Sequence, residues 1–175
     1  MAVEPTRLEN RRVGDLKPII IETTVRAADK DPSSAQAIGY DPKKGTTRTS
    51  TNAGSTSTLS AGGLTGADDK WNGMPVGITT TASGLTHQAR VTDWDLTAEL
   101  LTFTTLSEPV VQGDSYEIMG EPLMLLAAAS VSGNDTTVNL DAALHGYAGP
   151  RRLEIEFTFS GSDVEWREYE YEVIP

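Results

Sequence analysis

The chain contains no cysteine, which excludes a disulfide framework and thiolate metal sites. Aromatic residues make up only 6% of it, so the core is modest. No apolar run is long enough to span a bilayer as a helix. Basic residues are scarce: 14 Lys and Arg stand against 25 Asp and Glu, a net charge of −11. Wrapping nucleic acid is not expected of such a chain, because phosphate binding needs a basic face to displace counterions. The opening residues Met1-Ala2-Val3-Glu4-Pro5 lack the basic-then-apolar order of a signal peptide, so manufacture and use without Sec export is the expectation. Catalytic signatures are missing too. There are two histidines, His87 and His145, and neither has a patterned partner. No G-x-S-x-G elbow occurs and no glycine-rich phosphate loop is followed by lysine. The chain therefore reads as no enzyme, with no catalytic residue, cofactor or metal ligand assigned.

What is present is β-structure. A length of 175 residues fits one domain, or one domain with an arm, and buries a core without staples. Residues 1–15 read as an extended N-terminal arm, since Pro5 and Gly14 discourage a helix there. Residues 16–175 read as a single β-domain, with a central module at 59–119 and a C-terminal hairpin at 151–175. Arg7, Arg11 and Arg12 make the arm basic within an acidic protein. It is either a frayed terminus or an arm laid on an acidic neighbour, and a homo-oligomer of this chain supplies that neighbour.

Leu16 to Ala27 reads as a strand rich in β-branched residues, with Pro18 near its start. Thr46 to Thr58 is polar, either a long loop or linker, or a two-sided polar edge strand; if ordered, it is expected to be ordered by neighbouring subunits. Met74, Val76 and Ile78 alternate, and Pro75 in that run predicts an edge strand or a bulge. Thr79 to Gly84 is the hairpin tip, Gln88 to Thr92 the return, and Leu100 to Thr104 and Tyr116 to Met119 follow as strands. Leu123 to Ala129 reads as a buried strand paired to Thr137–Leu140 across Ser132-Gly133-Asn134-Asp135, and Leu144 to Pro150 as a loop. In the last hairpin Leu153, Ile155, Phe157 and Phe159 alternate with polar residues. Keeping the apolar set on one face places Val164 and Trp166 opposite Phe159 and Phe157, and a β-bulge near Arg167-Glu168 then restores the phase for Tyr169, Tyr171 and Val173. The outer face would carry Glu154, Glu156, Glu170 and Glu172, so it is either well solvated or meets a basic partner. The fold class is all-β, an antiparallel sandwich or barrel-like domain.

The candidate interaction residues are Arg7, Arg11 and Arg12 on the arm and Trp71, Trp94, Asp93 and Asp95 in the central module. Asp68-Asp69, Asp93-x-Asp95 and Asp114 read as turn and cap chemistry, as a calcium site, or as a glycosidase pair. Their spacing fits no EF-hand loop. Trp71 and Trp94 either form a sugar platform or pack over the sheet, and so small a core favours packing.

The order Leu64-Thr65-Gly66-Ala67-Asp68-Asp69, Trp71-Asn72-Gly73-Met74, Arg90-x-x-Asp93-Trp94-Asp95, Gly113-Asp114-x-Tyr116-x-Ile118 resembles a small β-module recurrent in structural proteins of tailed-bacteriophage particles: decoration, neck, fibre and baseplate components. The match covers about a third of the chain, and it departs in a longer tip at Thr79–Gln88 and in the absence of Gly after Asp95. The resemblance implies that the aromatic and Asp positions shape hairpins. It also implies a virion protein assembled in the host cytoplasm, with other virion proteins (major capsid, portal, neck or tail subunits) as partners. An accessory or cement role on the outer head or neck is the first expectation. A fibre, collar or baseplate component with a glycan-binding module is the alternative.

Overall fold

The structure, a computed structural model, describes residues 6–22, 31–159 and 163–175. Among these the regular structure is almost all β-strand, with one short 3-10 helix at Ala142–His145. The sequence reading took 16–175 as one domain; the chain packs as two compact units, 1–41 with 126–175, and 42–125.

The first unit is built on an eight-stranded sheet. Its strands are β1 (Thr6–Arg7), β2 (Arg11–Arg12), β3 (Ile19–Glu22), β4 (Ser34–Asp41), β11 (Glu121–Ser132), β12 (Asp135–Val138), β13 (Gly149–Thr158) and β14 (Val164–Ile174). The order is β1-β14-β13-β4-β11-β12-β3, with β2 also on β14. β2 and β3 lie at opposite ends of this order yet are joined by residues 13–18. That link spans at most about 25 Å, less than the roughly 29 Å of six flat interstrand spacings, so the sheet curls. Ile19, Ile21, Val138, Leu153, Ile155 and Phe157 are buried in this unit.

The second unit is a six-stranded sheet of β5 (Thr46–Thr49), β6 (Thr58–Ser60), β7 (Pro75–Thr79), β8 (Thr86–Asp95), β9 (Leu100–Phe103) and β10 (Ser115–Ile118), in the order β5-β10-β7-β8-β9-β6. Its two edges meet just past β5: the Thr51 N–H donates to the Ser60 carbonyl at 3.0 Å and the two hydroxyls lie 2.7 Å apart. The sheet thus closes in a barrel-like way around Leu59, Met74, Ile78, Trp94, Leu101 and Tyr116, all fully buried.

Several expectations hold in detail. Strands occur over Gln88–Thr92, Leu100–Phe103 and Tyr116–Ile118, and Ser132 pairs with Asp135 across the expected turn. Others are corrected. Leu123 to Ala129 is a strand, but Leu125 is 51% exposed. Residues 142–145, placed partly in a loop, form the 3-10 helix, with the Asp141 carboxylate accepting from the Ala143 N–H. Pro75 does not mark an edge: β7 lies between β10 and β8. Pro75 is tolerated as the first residue of the strand, where one N–H is missing at the end of a ladder, and its carbonyl still accepts from the Met119 N–H. Of the strand expected at Leu16–Ala27, Ile19–Glu22 is observed, beginning directly after Pro18; residues 23–27 lie outside the described residues.

The Thr-rich stretch is ordered by its own unit rather than by neighbours. β5 is the two-sided polar edge strand, paired to β10. Residues 50–57 form a loop sewn down by backbone bonds: Gly54 N–H to Val110 O and Val110 N–H to Ser55 O, both at 3.0 Å, and Leu106 N–H to Thr56 O at 2.7 Å.

The C-terminal hairpin runs in unbroken register from Gly149↔Val173 to Thr158↔Val164. No bulge lies at Arg167-Glu168, and Val164 and Trp166 face Thr158 and Glu156. The apolar face is completed near the tip by Arg167, opposite Ile155, whose guanidinium lies 5.4 Å from the Phe157 ring centre. An arginine stem can cover apolar surface, so the strand need not slip to keep its pattern. Residues 160–162 of the expected turn lie outside the described residues. The irregularity that does occur is in β8, between Val91 and Asp93. It sets Val91 and Trp94 three residues apart yet both buried, with Thr92 and Asp93 exposed.

Candidate functional site

Of the three arm arginines, Arg7 and Arg12 are exposed along the edge of β14, whereas Arg11 is half-buried. β1 pairs in parallel with Tyr169–Glu170 and β2 with Val173–Ile174. Between them the Leu8 N–H donates to the Glu170 carbonyl at 2.8 Å and the Glu172 N–H to Asn10 Oδ1 at 3.3 Å. The neighbour under the arm is thus the chain's own acidic last strand. Arg7 stands in register with Glu170. Arg11 turns back to Asp15 at 3.6 Å and donates to the Lys17 carbonyl.

The arm ends in a turn at Gly14, with φ +78° and the Asp15 N–H donating to the Arg12 carbonyl. There the chain meets His145. The Gly14 N–H donates to the His145 carbonyl, and the buried imidazole engages both nitrogens: Nδ1 with the Asp15 carbonyl and Nε2 with the Tyr171 hydroxyl at 2.8 Å. A carbonyl only accepts, so Nδ1 carries the proton and Nε2 accepts from Tyr171. Burial holds the His145 pKa below its ordinary value and pushes that of Tyr171 up. Arg151, also fully buried, donates to the Leu144, Tyr147 and Pro150 carbonyls and lies over the Tyr147 ring.

The acidic face of the hairpin is not wholly solvated. Arg152 sits among the carboxylates, 2.6 Å from Glu168 and 3.9 Å from Glu170. Glu154 is buried and accepts from the Tyr40 hydroxyl. Burial, reinforced by the Glu154 charge, raises the Tyr40 pKa far above its usual range.

In the second unit, Glu108 Oε1 gathers Thr80 Oγ1 at 2.6 Å, Ser83 Oγ at 2.5 Å and His87 Nε2 at 2.5 Å. Hydrogen bonds from Ser83, then Thr80 and His87, hold its pKa at about 2. These are the residue types of a hydrolytic triad in the wrong order. The carboxylate stands between serine and histidine, whereas a triad needs the imidazole there. The cluster pins the hairpin tip. Asp114 assists, with Oδ1 accepting from the Thr81 N–H and hydroxyl and Oδ2 from the Val111 N–H. His87 does have a partner, one the sequence concealed because Glu108 lies 21 residues on, between β9 and β10, and reaches β8 only in the folded sheet.

The remaining candidates serve the fold. Trp71 is 4% exposed and Trp94 1%, so neither forms a sugar platform. Trp71 Nε1 donates to the Thr65 carbonyl at 3.1 Å, and the Lys70 ammonium lies over its ring. Asp95 accepts from the Ala98 N–H, Asp68 from the Leu96 N–H, and Asp69 from the Asn72 side chain. Asp93 is exposed at the β8 irregularity. Among the described residues, no three His, Asp or Glu side chains converge as a metal set.

No family model matches the chain, and no curated protein does. Among solved structures, one similarity is to the collagen-binding subdomain ACE19 of the Enterococcus faecalis surface protein ACE. It is 9% identical over 86% of this chain and 83% of that one, with a TM-score of 0.18. A likeness at that level carries no argument about function.

Proposed function

We propose that this protein is a non-enzymatic structural component of a tailed-phage particle, an accessory or cement protein of the outer head or neck that works through subunit contacts. The observation that carries the reading is the basic arm added as strands to the edge of an acidic sheet, a mode of contact made of main-chain bonds and charge. The central module supports it: the Trp and Asp residues that carry the resemblance shape and fill its hairpins. A net charge of −11 would be repelled by packaged DNA, which favours an outer position. The partners are other virion proteins, and the place of action is the virion.

Obligate contacts of this kind bury on the order of 2,000 Å² or more. The purified protein is therefore expected to form a discrete oligomer by light scattering, or to decorate intact particles in electron micrographs. A stable monomer without affinity for particles overturns the reading. The glycan-binding alternative has no observation in its favour, since both tryptophans it relied on are buried.

A further inference from the structure

We infer that the outer edge of β14 is an acceptor site for the N-terminal arm of a second copy of this chain, so that neighbouring copies exchange arms. The inference rests on the assembly reading above, because assembly is what brings copies together.

Three features of the first unit carry it. The first is how little holds the arm to its own sheet. Its ladder is two short parallel pieces, Thr6–Arg7 and Arg11–Arg12, with the chain between them tied by single bonds at Leu8 and Asn10. Arg7 and Arg12 are exposed and Leu8 is only half-buried. Main-chain bonds of this kind are offered identically by every copy, and short parallel pairing is weak per residue.

The second is charge. On the arm Arg7 and Arg12 stand exposed, Arg7 in register with Glu170, and alternation puts Glu168, Glu170 and Glu172 on one face of β14, the first two shared with Arg152. That complementarity selects this arm over an arbitrary extended peptide, and it names the partner: any molecule bearing the arm also bears the acceptor.

The third is a hinge beside an anchor. At Gly14 the backbone turns with φ +78°, and a Cβ placed there would meet nothing within 4 Å. Directly after it, Asp15 is fastened to buried His145, and the Lys17 N–H donates to Asp15 Oδ1. Opening the turn at Gly14 swings residues 6–13 away while the anchor stays in place, which is the geometry of a low-cost swap. Because cis and trans arms make the same bonds, concentration decides between them, and a particle surface supplies a high effective concentration.

The absence of native cysteine makes the test clean. Arg7 and Glu170 are register partners, and both stand on the surface. Full-length Arg7→Cys carrying a size tag is mixed with untagged Glu170→Cys, the mixture is concentrated and oxidised, and the products are separated without reductant. A mixed disulfide between tagged and untagged chains is expected, and none should form when Arg7→Cys is paired instead with Lys43→Cys. Absence of the mixed species overturns the inference, whether or not an Arg7→Cys/Glu170→Cys double variant closes within one chain. Particle binding is scored on the same proteins. Binding with arms held in cis removes exchange and leaves the assembly reading standing, whereas exchange without binding does the reverse.

Discussion

His145 and Asp15 are hydrogen-bonded across 130 residues of sequence, the buried imidazole joining the root of the N-terminal arm to the last strand through Tyr171. Nδ1 keeps its proton and its bond to Asp15 in either state, whereas protonating Nε2 turns the Tyr171 hydroxyl from donor to acceptor and puts a charge on a buried ring. Burial lowers the His145 pKa, with Arg11 and Arg151 also against the cation and the Asp15 carbonyl and carboxylate for it.

The sign of the pH dependence follows. The unfolded chain takes up this proton near the ordinary histidine value of about 6.5, while the folded chain resists until lower pH. The stabilising contribution is present above the unfolded value and is lost as pH falls below it. Urea midpoints are expected to drop between pH 7.5 and 5, with a slope of at most about 1.4 kcal/mol per pH unit. His145→Gln should flatten that slope. A wild-type profile that stays level over this range would refute the buried neutral ring.

How much of this was legible in the sequence depended on the distance over which each feature is encoded. The hairpins of the central module could be read because alternation and turn residues lie side by side, as at Met74–Ile78 and Gly113–Ile118. The C-terminal register could not, because the reading demanded an unbroken apolar face while Arg167 takes a place on it, opposite Ile155 and with its guanidinium over Phe157. Thr46–Thr58 resisted for another reason: an edge strand polar on both faces leaves no apolar period, and the bonds of the loop after it run to Asp114, Val110 and Leu106, far along the chain. The Glu108 and His145 clusters left no local trace at all.

Gly54 tests whether that polar loop is packed. A Cβ at this position would lie 2.0 Å from the Thr58 carbonyl oxygen, a backbone atom that cannot step aside without moving β6. Gly54→Ala is expected to destabilise by roughly 1–3 kcal/mol, the usual cost of overpacking. Gly84→Ala is the control, since a Cβ there meets nothing within 4 Å and only the positive φ is strained. Equal chemical-denaturation midpoints for wild type and Gly54→Ala would show the loop to be slack.

The Glu108 clamp predicts a second, separate pH limb. A carboxylate with its pKa lowered to about 2 stabilises the fold fully above the unfolded value near 4.5 and loses that contribution as pH falls toward 2. Acid unfolding followed by tryptophan fluorescence should show this limb in wild type and a weaker one in Glu108→Gln, whose amide Oε1 can still accept from the same donors but carries neither the charge nor the titration. Hydrogen exchange at residues 80–86 should rise in the variant at neutral pH. An unchanged exchange pattern would mean that the tip holds without its carboxylate.

Trp71 and Trp94 separate packing from binding because their indole N–H groups differ. Trp71 Nε1 donates to the Thr65 carbonyl, whereas Trp94 Nε1 is buried without a hydrogen-bond partner among the described residues. Replacing Trp71 by Phe should therefore forfeit a bond, about 1 kcal/mol, on top of lost volume, while Trp94→Phe loses volume but no bond and relieves an unpaired donor. Trp94→Ala removes the largest fully buried side chain among the described residues and is expected to cost roughly 3–5 kcal/mol. Host polysaccharide should leave the fluorescence of a Trp166→Phe variant, which keeps only Trp71 and Trp94, unchanged, since rings 4% and 1% exposed offer no face for a sugar to stack on. Quenching by polysaccharide, together with little loss of stability in Trp94→Ala, is the pair of results that would return these residues from the core to a binding site.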